Sequence, residues 1–231
     1  FAERLANKIP DVPKDTKPRE IKTTAVIGFG TMGRGIAMSI ANGGLPVKML
    51  EVSQEAVDNG LEMTRKTYAS TVKRGGLTQA EMDERMGLIT GTTEYADLSD
   101  ADIVIEAVFE EMELKKQIFE KLDNFCKPGC VLATNTSSLD IDEIASATVR
   151  PKEVIGTHFF SPANVMRLME NVRGKETAAD VMATVMKLSK DINKVGVMVG
   201  NCNGFVGNRM LYAYRPQAEY LLEEGALPEQ V

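Results

Sequence analysis

The chain has 231 residues, 43% hydrophobic and 26% charged, enough for a substantial core without cross-links. Its net charge of −6, from 33 acids and 27 bases, leaves no electrostatic footprint for nucleic acid or an anionic membrane surface. Three cysteines exclude a paired disulfide framework, and no apolar run reaches the length of a membrane span.

Phe1 to Ile9 reads as the end of a helix. The charged, proline-bearing stretch Pro10 to Thr24 reads as an extended linker. Thr23 to Gly28 is then a short apolar strand, and Met32, Ile36 and Ile40 share one face of the following helix. Pro46 to Val52 is a second strand, and Ser53 caps a long helix that reaches Arg74. A shorter helix spans Thr78 to Met86. Asp102 to Val108 is strongly apolar and extended, and Leu114, Ile118, Leu122 and Phe125 mark the next helix. Cys130 to Thr134 and Val154 to Phe160 are strands. A turn at Ser161-Pro162 returns the chain along a strand ending near Val172. Thr177 to Ile192 is helical, Val195 to Val199 extended, and Tyr212 to Glu224 helical again, with Leu227 to Val231 opening a further helix.

The alternation predicts an α/β fold, Rossmann-like, with a mainly parallel sheet flanked by helices. Three segments are expected: a linker over 1–20, a dinucleotide-binding domain over 21–203, and the start of an all-helical domain over 204–231. Both ends read as cuts from a longer chain.

Gly28-Phe-Gly30-Thr31-Met32-Gly33 follows the first strand and opens the first helix. Gly28 permits the tight turn, Gly30 admits a pyrophosphate, and Gly33 lets the helix pack on the strand. Thr31 and Met32 then form the helix N-terminus, whose free N–H groups face the phosphates. Glu51 ends the second strand and can accept both hydroxyls of an adenosine ribose; a 2′-phosphate would be repelled, and no arginine follows it immediately. NAD is the expected cofactor. Cys126-Lys-Pro-Gly-Cys130 has a loosely metal-like spacing, but no second cysteine pair or histidine completes it, so no metal is expected.

His158 is the sole histidine of the chain. The turn at Ser161-Pro162 can bring Glu170 back alongside it, where a carboxylate would hold one imidazole nitrogen while the other accepts a proton. Read alone, Ser137 and Asn208 are helix caps and Lys115 is a solvated helix charge.

Thr134-Asn-Thr-Ser-Ser-Leu139, Gly156-Thr-His-Phe-Phe-Ser-Pro162, Val165-Met-Arg-Leu-Met-Glu170 and Gly204-Phe-Val-Gly-Asn-Arg-Met210 together resemble the L-3-hydroxyacyl-CoA dehydrogenase family. The likeness runs in order from Ile21 to Val231. Phe1-Ala-Glu-Arg4, Ala6-Asn-Lys8 and Leu221-Leu-Glu-Glu-Gly225 are similar to its peroxisomal bifunctional branch, as is Ser161, where many members carry asparagine.

The resemblance implies His158 as catalytic base with Glu170 as its partner acid. It places Ser137 and Asn208 at the substrate oxygen, Glu110 and Lys115 in contact with the nucleotide, and Asn135 on the loop passing the nicotinamide. It also implies an acyl-CoA substrate, fatty acid β-oxidation in the peroxisome, an enoyl-CoA hydratase domain in the same parent chain, and a homodimer formed through a helical C-terminal domain. Lys66, Lys73 and Arg74 are candidate partners for the CoA phosphates. Two other readings remain open: dehydrogenation of a related β-hydroxyacid, and a non-catalytic NAD-binding module.

Overall fold

The computed structural model describes residues 5, 6, 8, 9 and 11–231. The helix end expected over Phe1 to Ile9 falls largely on Phe1, Ala2, Glu3, Arg4 and Asn7, outside the described residues.

Eight strands form one sheet: β1 (Thr24–Ile27), β2 (Val47–Leu50), β3 (Ile89–Thr92), β4 (Ile103–Glu106), β5 (Val131–Thr134), β6 (Val154–Phe159), β7 (Leu168–Arg173) and β8 (Val195–Gly200). Their order is β3-β2-β1-β4-β5-β6-β7-β8. Every neighbouring pair is parallel except β6 and β7, which meet antiparallel as the expected return turn requires. β1, β4 and β5 are buried on both faces, which is why they read as unbroken apolar runs rather than as alternating ones. Successive side chains feed opposite layers. Val26, Ile103 and Ile105 join one core cluster, whereas Ala25, Ile27 and Val104 join the other.

Among the described residues the helices are α1 (Thr31–Asn42), α2 (Gln54–Lys73), α3 (Gln79–Gly87), α4 (Met112–Phe125), α5 (Ile141–Ala145), α6 (Ala179–Asp191) and α7 (Gly207–Glu223). Ser53 caps α2 by accepting the Ala56 N–H, and Thr78 opens α3 through a capping box with Glu81. α1 and α6 cover one sheet face with Ile36, Ile40, Val181 and Val185. α4 and α5 cover the other with Phe119, Leu122 and Ile144.

Several expectations need correction. The buried face of α4 is Lys115, Ile118, Phe119 and Leu122, while Leu114 is half-buried and Phe125 is 44% exposed. A lysine therefore takes a place that periodicity gives to an apolar residue. β3 and the short α5 have no counterpart among the expected elements, because four or five residues are too few to show a period. The linker is extended but docked: Arg19 binds Asp180, Glu153 and the Gly129 carbonyl, and Asp11 pairs with Arg173. α7 begins at Gly207, five residues before the expected start at Tyr212, and buries no residue. The turn after it is a single 3-10 turn, Pro228–Gln230.

Candidate functional site

β1, β4, β5 and β6 run in one direction, and their carboxyl ends meet a crevice where the strand order reverses between β1 and β4. In open parallel sheets such crevices are where ligands bind.

The turn between β1 and α1 forms one wall. Gly28 has φ +92°, and a Cβ there would meet the Ala107 carbonyl at 2.9 Å. At Gly33 a Cβ would lie 1.8 Å from the Gly28 carbonyl oxygen, so only glycine lets the helix sit this close. Gly30 is the N-cap of α1 and faces open space, with nothing within 4 Å of the point where a Cβ would stand. No side chain caps α1, and its first turn from Thr31 holds no acid. An uncapped helix N-terminus beneath an empty approach fits a dinucleotide pyrophosphate. Glu51 accepts the Phe29 N–H at 2.6 Å and the Val52 N–H at 3.0 Å, which holds its carboxylate against the same turn. The residues present thus suit NAD.

The opposite wall is built by register. His158 on β6 and Glu170 on β7 are directly paired residues of the antiparallel ladder. His158 Nδ1 and Glu170 Oε2 lie 2.8 Å apart, with the two residues 6% and 2% exposed. The other carboxylate oxygen accepts N–H groups from Val206 at 3.1 Å and Gly207 at 2.8 Å, at the N-terminus of α7. Burial alone would raise the Glu170 carboxyl. The bond to His158, the Gly207 N–H and the neighbouring imidazole instead hold it below the usual carboxylate range. Phe160 and Phe205 pack their rings 4.5 and 5.6 Å from the imidazole and fix its plane.

Between the walls lies a cleft of about 370 Å³, lined by Met32, Glu110, Asn135, Ser137, His158 and Asn208 among others. Asn135 accepts the Phe159 N–H at 2.9 Å, tying the loop after β5 to the strand that carries His158. Ser137 is no helix cap: its N–H and hydroxyl both donate to Glu110 Oε1, at 2.7 and 2.9 Å. Asn208 is not a cap either, since Val206 holds that position in α7, and its amide reaches the Ser137 carbonyl at 3.4 Å. Burial would raise the Glu110 carboxyl, but bonds from Thr136 and Ser137, with the charge of Lys115, hold it low.

The solvated reading of Lys115 is wrong. Its side chain is 1% exposed, and Nζ lies 2.7 Å from Glu106 Oε1 and 3.5 Å from Glu110 Oε2. Lys115 does not itself line the cleft but borders it beside Glu110, which does. Sequence reading missed Glu106, although an acid ending a wholly buried strand needs a cation, and Lys115 follows nine residues later. Lys66, Lys73 and Arg74 are exposed on α2 and just past its end; Lys66 pairs with Glu62, and Arg74 donates to the Ser70 carbonyl. Cys126 and Cys130 are buried free thiols, and Cys202 is exposed.

The family model for the 3-hydroxyacyl-CoA dehydrogenase NAD-binding domain matches residues 23–202. The peroxisomal bifunctional enzymes of Danio rerio and Homo sapiens are each 47% identical to this chain over its whole length, which spans 32% of theirs. Among solved structures, the (S)-3-hydroxybutyryl-CoA dehydrogenase of Ralstonia eutropha superposes with a TM-score of 0.88 at 39% identity, over 92% of this chain and 75% of that one. The dehydrogenase part of multifunctional enzyme 1 from C. elegans gives 0.79 at 32% identity, over 99% of this chain and 55% of that one. No described helix is long and apolar enough to cross a membrane.

Proposed function

The chain belongs to the 3-hydroxyacyl-CoA dehydrogenase NAD-binding domain family, and on that premise we propose that it oxidises L-3-hydroxyacyl-CoA to 3-ketoacyl-CoA with NAD⁺. The observation that carries this reading is the 2.8 Å His158–Glu170 pair on the cleft opposite the glycine turn.

His158 donates its Nδ1–H to Glu170, which leaves Nε2 free to take the substrate hydroxyl proton. Glu170 then faces an imidazolium and offsets its charge. The Val206 and Gly207 N–H groups keep that carboxylate aimed at the ring. Ser137 and Asn208 orient the reacting oxygen, so that proton and hydride leave from one fixed geometry. Bound NAD⁺ supplies the hydride acceptor. The glycine turn and the α1 N-terminus hold its pyrophosphate, with Thr31 and Met32 in the first turn. Glu51 accepts from the ribose hydroxyls, which favours NAD over its 2′-phosphorylated form. Asn135 keeps the loop after β5 against β6, and Glu110, backed by Lys115, holds Ser137.

Residues 21–203 form the NAD-binding domain in this reading, residues 1–20 the strap leading into it, and residues 204–231 the opening of a helical dehydrogenase domain. The absence of buried residues in α7 supports the last assignment. The relatives' names point to a peroxisomal multifunctional enzyme of fatty acid β-oxidation, and an enoyl-CoA hydratase part in the same parent chain belongs to this reading.

The substrate class is tested by NADH oxidation at 340 nm with acetoacetyl-CoA and with free acetoacetate. Turnover confined to the CoA ester is the expected result. Equal or greater turnover of the free acid would overturn the assignment in favour of a related β-hydroxyacid dehydrogenase.

A further inference from the structure

The acidic cluster behind the cleft has a charge balance that the proton-transfer chemistry does not need. Glu106 is fully buried at the end of β4. One of its oxygens accepts the Thr134 hydroxyl at 2.7 Å; the other accepts the Val108 N–H at 2.8 Å and the Lys115 ammonium at 2.7 Å. Lys115 is itself 1% exposed, and its second acid, Glu110, stands farther off at 3.5 Å. A buried cation without a close counter-charge is strongly unfavourable, so the nearer carboxylate is its principal partner. Glu106 and Lys115 therefore cancel. Glu110, which lines the cleft together with Ser137 and His158, keeps a net negative charge.

We propose that Glu106 is a specificity-determining residue: by neutralising Lys115 it leaves Glu110 as a fixed negative charge in the cleft, which favours oxidised over reduced nicotinamide. The inference rests on the NAD-dependent reading. Hydride transfer next to His158 requires the nicotinamide ring to lie in this cleft, and the ring is cationic only when oxidised. A fixed charge in a cleft partly shielded from water discriminates between two ligands that differ by one charge. Glu106 does not line the cleft and acts only through Lys115 and Glu110.

The test is a fluorescence titration of purified protein with NAD⁺ and NADH, giving the ratio of the NAD⁺ to the NADH dissociation constant. In Glu106→Gln the released lysine charge turns toward Glu110, and the ratio rises roughly fivefold to tenfold. Glu106→Asp keeps the charge and stays within about twofold of the wild-type ratio. Adding Lys115→Met to Glu106→Gln removes the pair together and returns the ratio to the wild-type value, because Glu110 again stands alone. Glu110→Gln raises the ratio as Glu106→Gln does. If Glu106→Gln does not fold, the double variant and Glu110→Gln decide between them. A wild-type ratio in Glu106→Gln, or a double variant that stays as high as Glu110→Gln, overturns the proposal. Wild-type protein that binds neither nucleotide instead sinks the NAD-dependent reading itself.

Discussion

The two walls of the cleft are made by different physics. The nucleotide wall comes from six consecutive residues, Gly28 to Gly33, whose positions are dictated by space: a φ of +92° at one end and a 1.8 Å clash with any side chain at the other. The wall that carries His158 comes from register. His158 and Glu170 are 12 residues apart and meet because β6 and β7 pair antiparallel, and the start of α7 closes on the same carboxylate from 36 and 37 residues farther along. Where space closes on the chain, at Gly28 and Gly33, no atom can be added. A wall set by register tolerates a change of chemistry that preserves shape.

That contrast can be broken, beginning with the largest effect. Gly33→Ala forces the Gly28 carbonyl aside and costs about 3 kcal/mol, with NAD binding lost. Chemical denaturation and a binding titration check both, and a stable variant that binds NAD would show that the turn relaxes freely. Glu170→Gln keeps the shape of the opposite wall. Turnover falls roughly a hundredfold while NAD affinity stays within about twofold. Equal losses of turnover and affinity would mean that Glu170 holds the fold rather than the imidazole.

Gly30→Ala sharpens the comparison inside the nucleotide wall. Its methyl points into open space, so stability changes by less than about 1 kcal/mol. NAD affinity falls about tenfold, because that space is where the pyrophosphate approaches. Unchanged affinity would place the phosphates elsewhere.

The smallest effect is on acid stability. The native Glu170 carboxyl is held below its ordinary value, so its contribution is full above the ordinary carboxylate range and is lost as pH falls through the lowered value. The difference in melting temperature between wild type and Glu170→Gln should therefore narrow as the solution is acidified. A difference that does not vary with pH would exclude this linkage.

Legibility in the sequence follows the same division. The glycine turn could be read because its constraints are local and each glycine has one job. The His158–Glu170 pairing could be read because one eight-residue connection, 160–167, returns the chain along the strand it has just left. The Glu106–Lys115–Glu110 cluster could not be read. It joins the end of β4, the loop after it and α4, and it buries a lysine on a face where periodicity favoured Leu114 and Phe125. The docked strap was hidden for a related reason, since Arg19 finds its acids 134 and 161 residues away. β3 and α5 left no periodic signal because they are too short. Ser137 and Asn208 carry residue types that suit helix caps equally well, and only tertiary contact shows that the true capping positions are Asp140 for α5 and Val206 for α7.

The central claim, that His158 moves the proton in a site whose cofactor is held by the other wall, is tested most directly by His158→Ala. NADH-dependent reduction of acetoacetyl-CoA and NADH binding would be measured on the same preparation. Turnover is expected to fall at least about a hundredfold, with NADH affinity unchanged within about twofold. Retained turnover, or affinity lost in step with turnover, would contradict it.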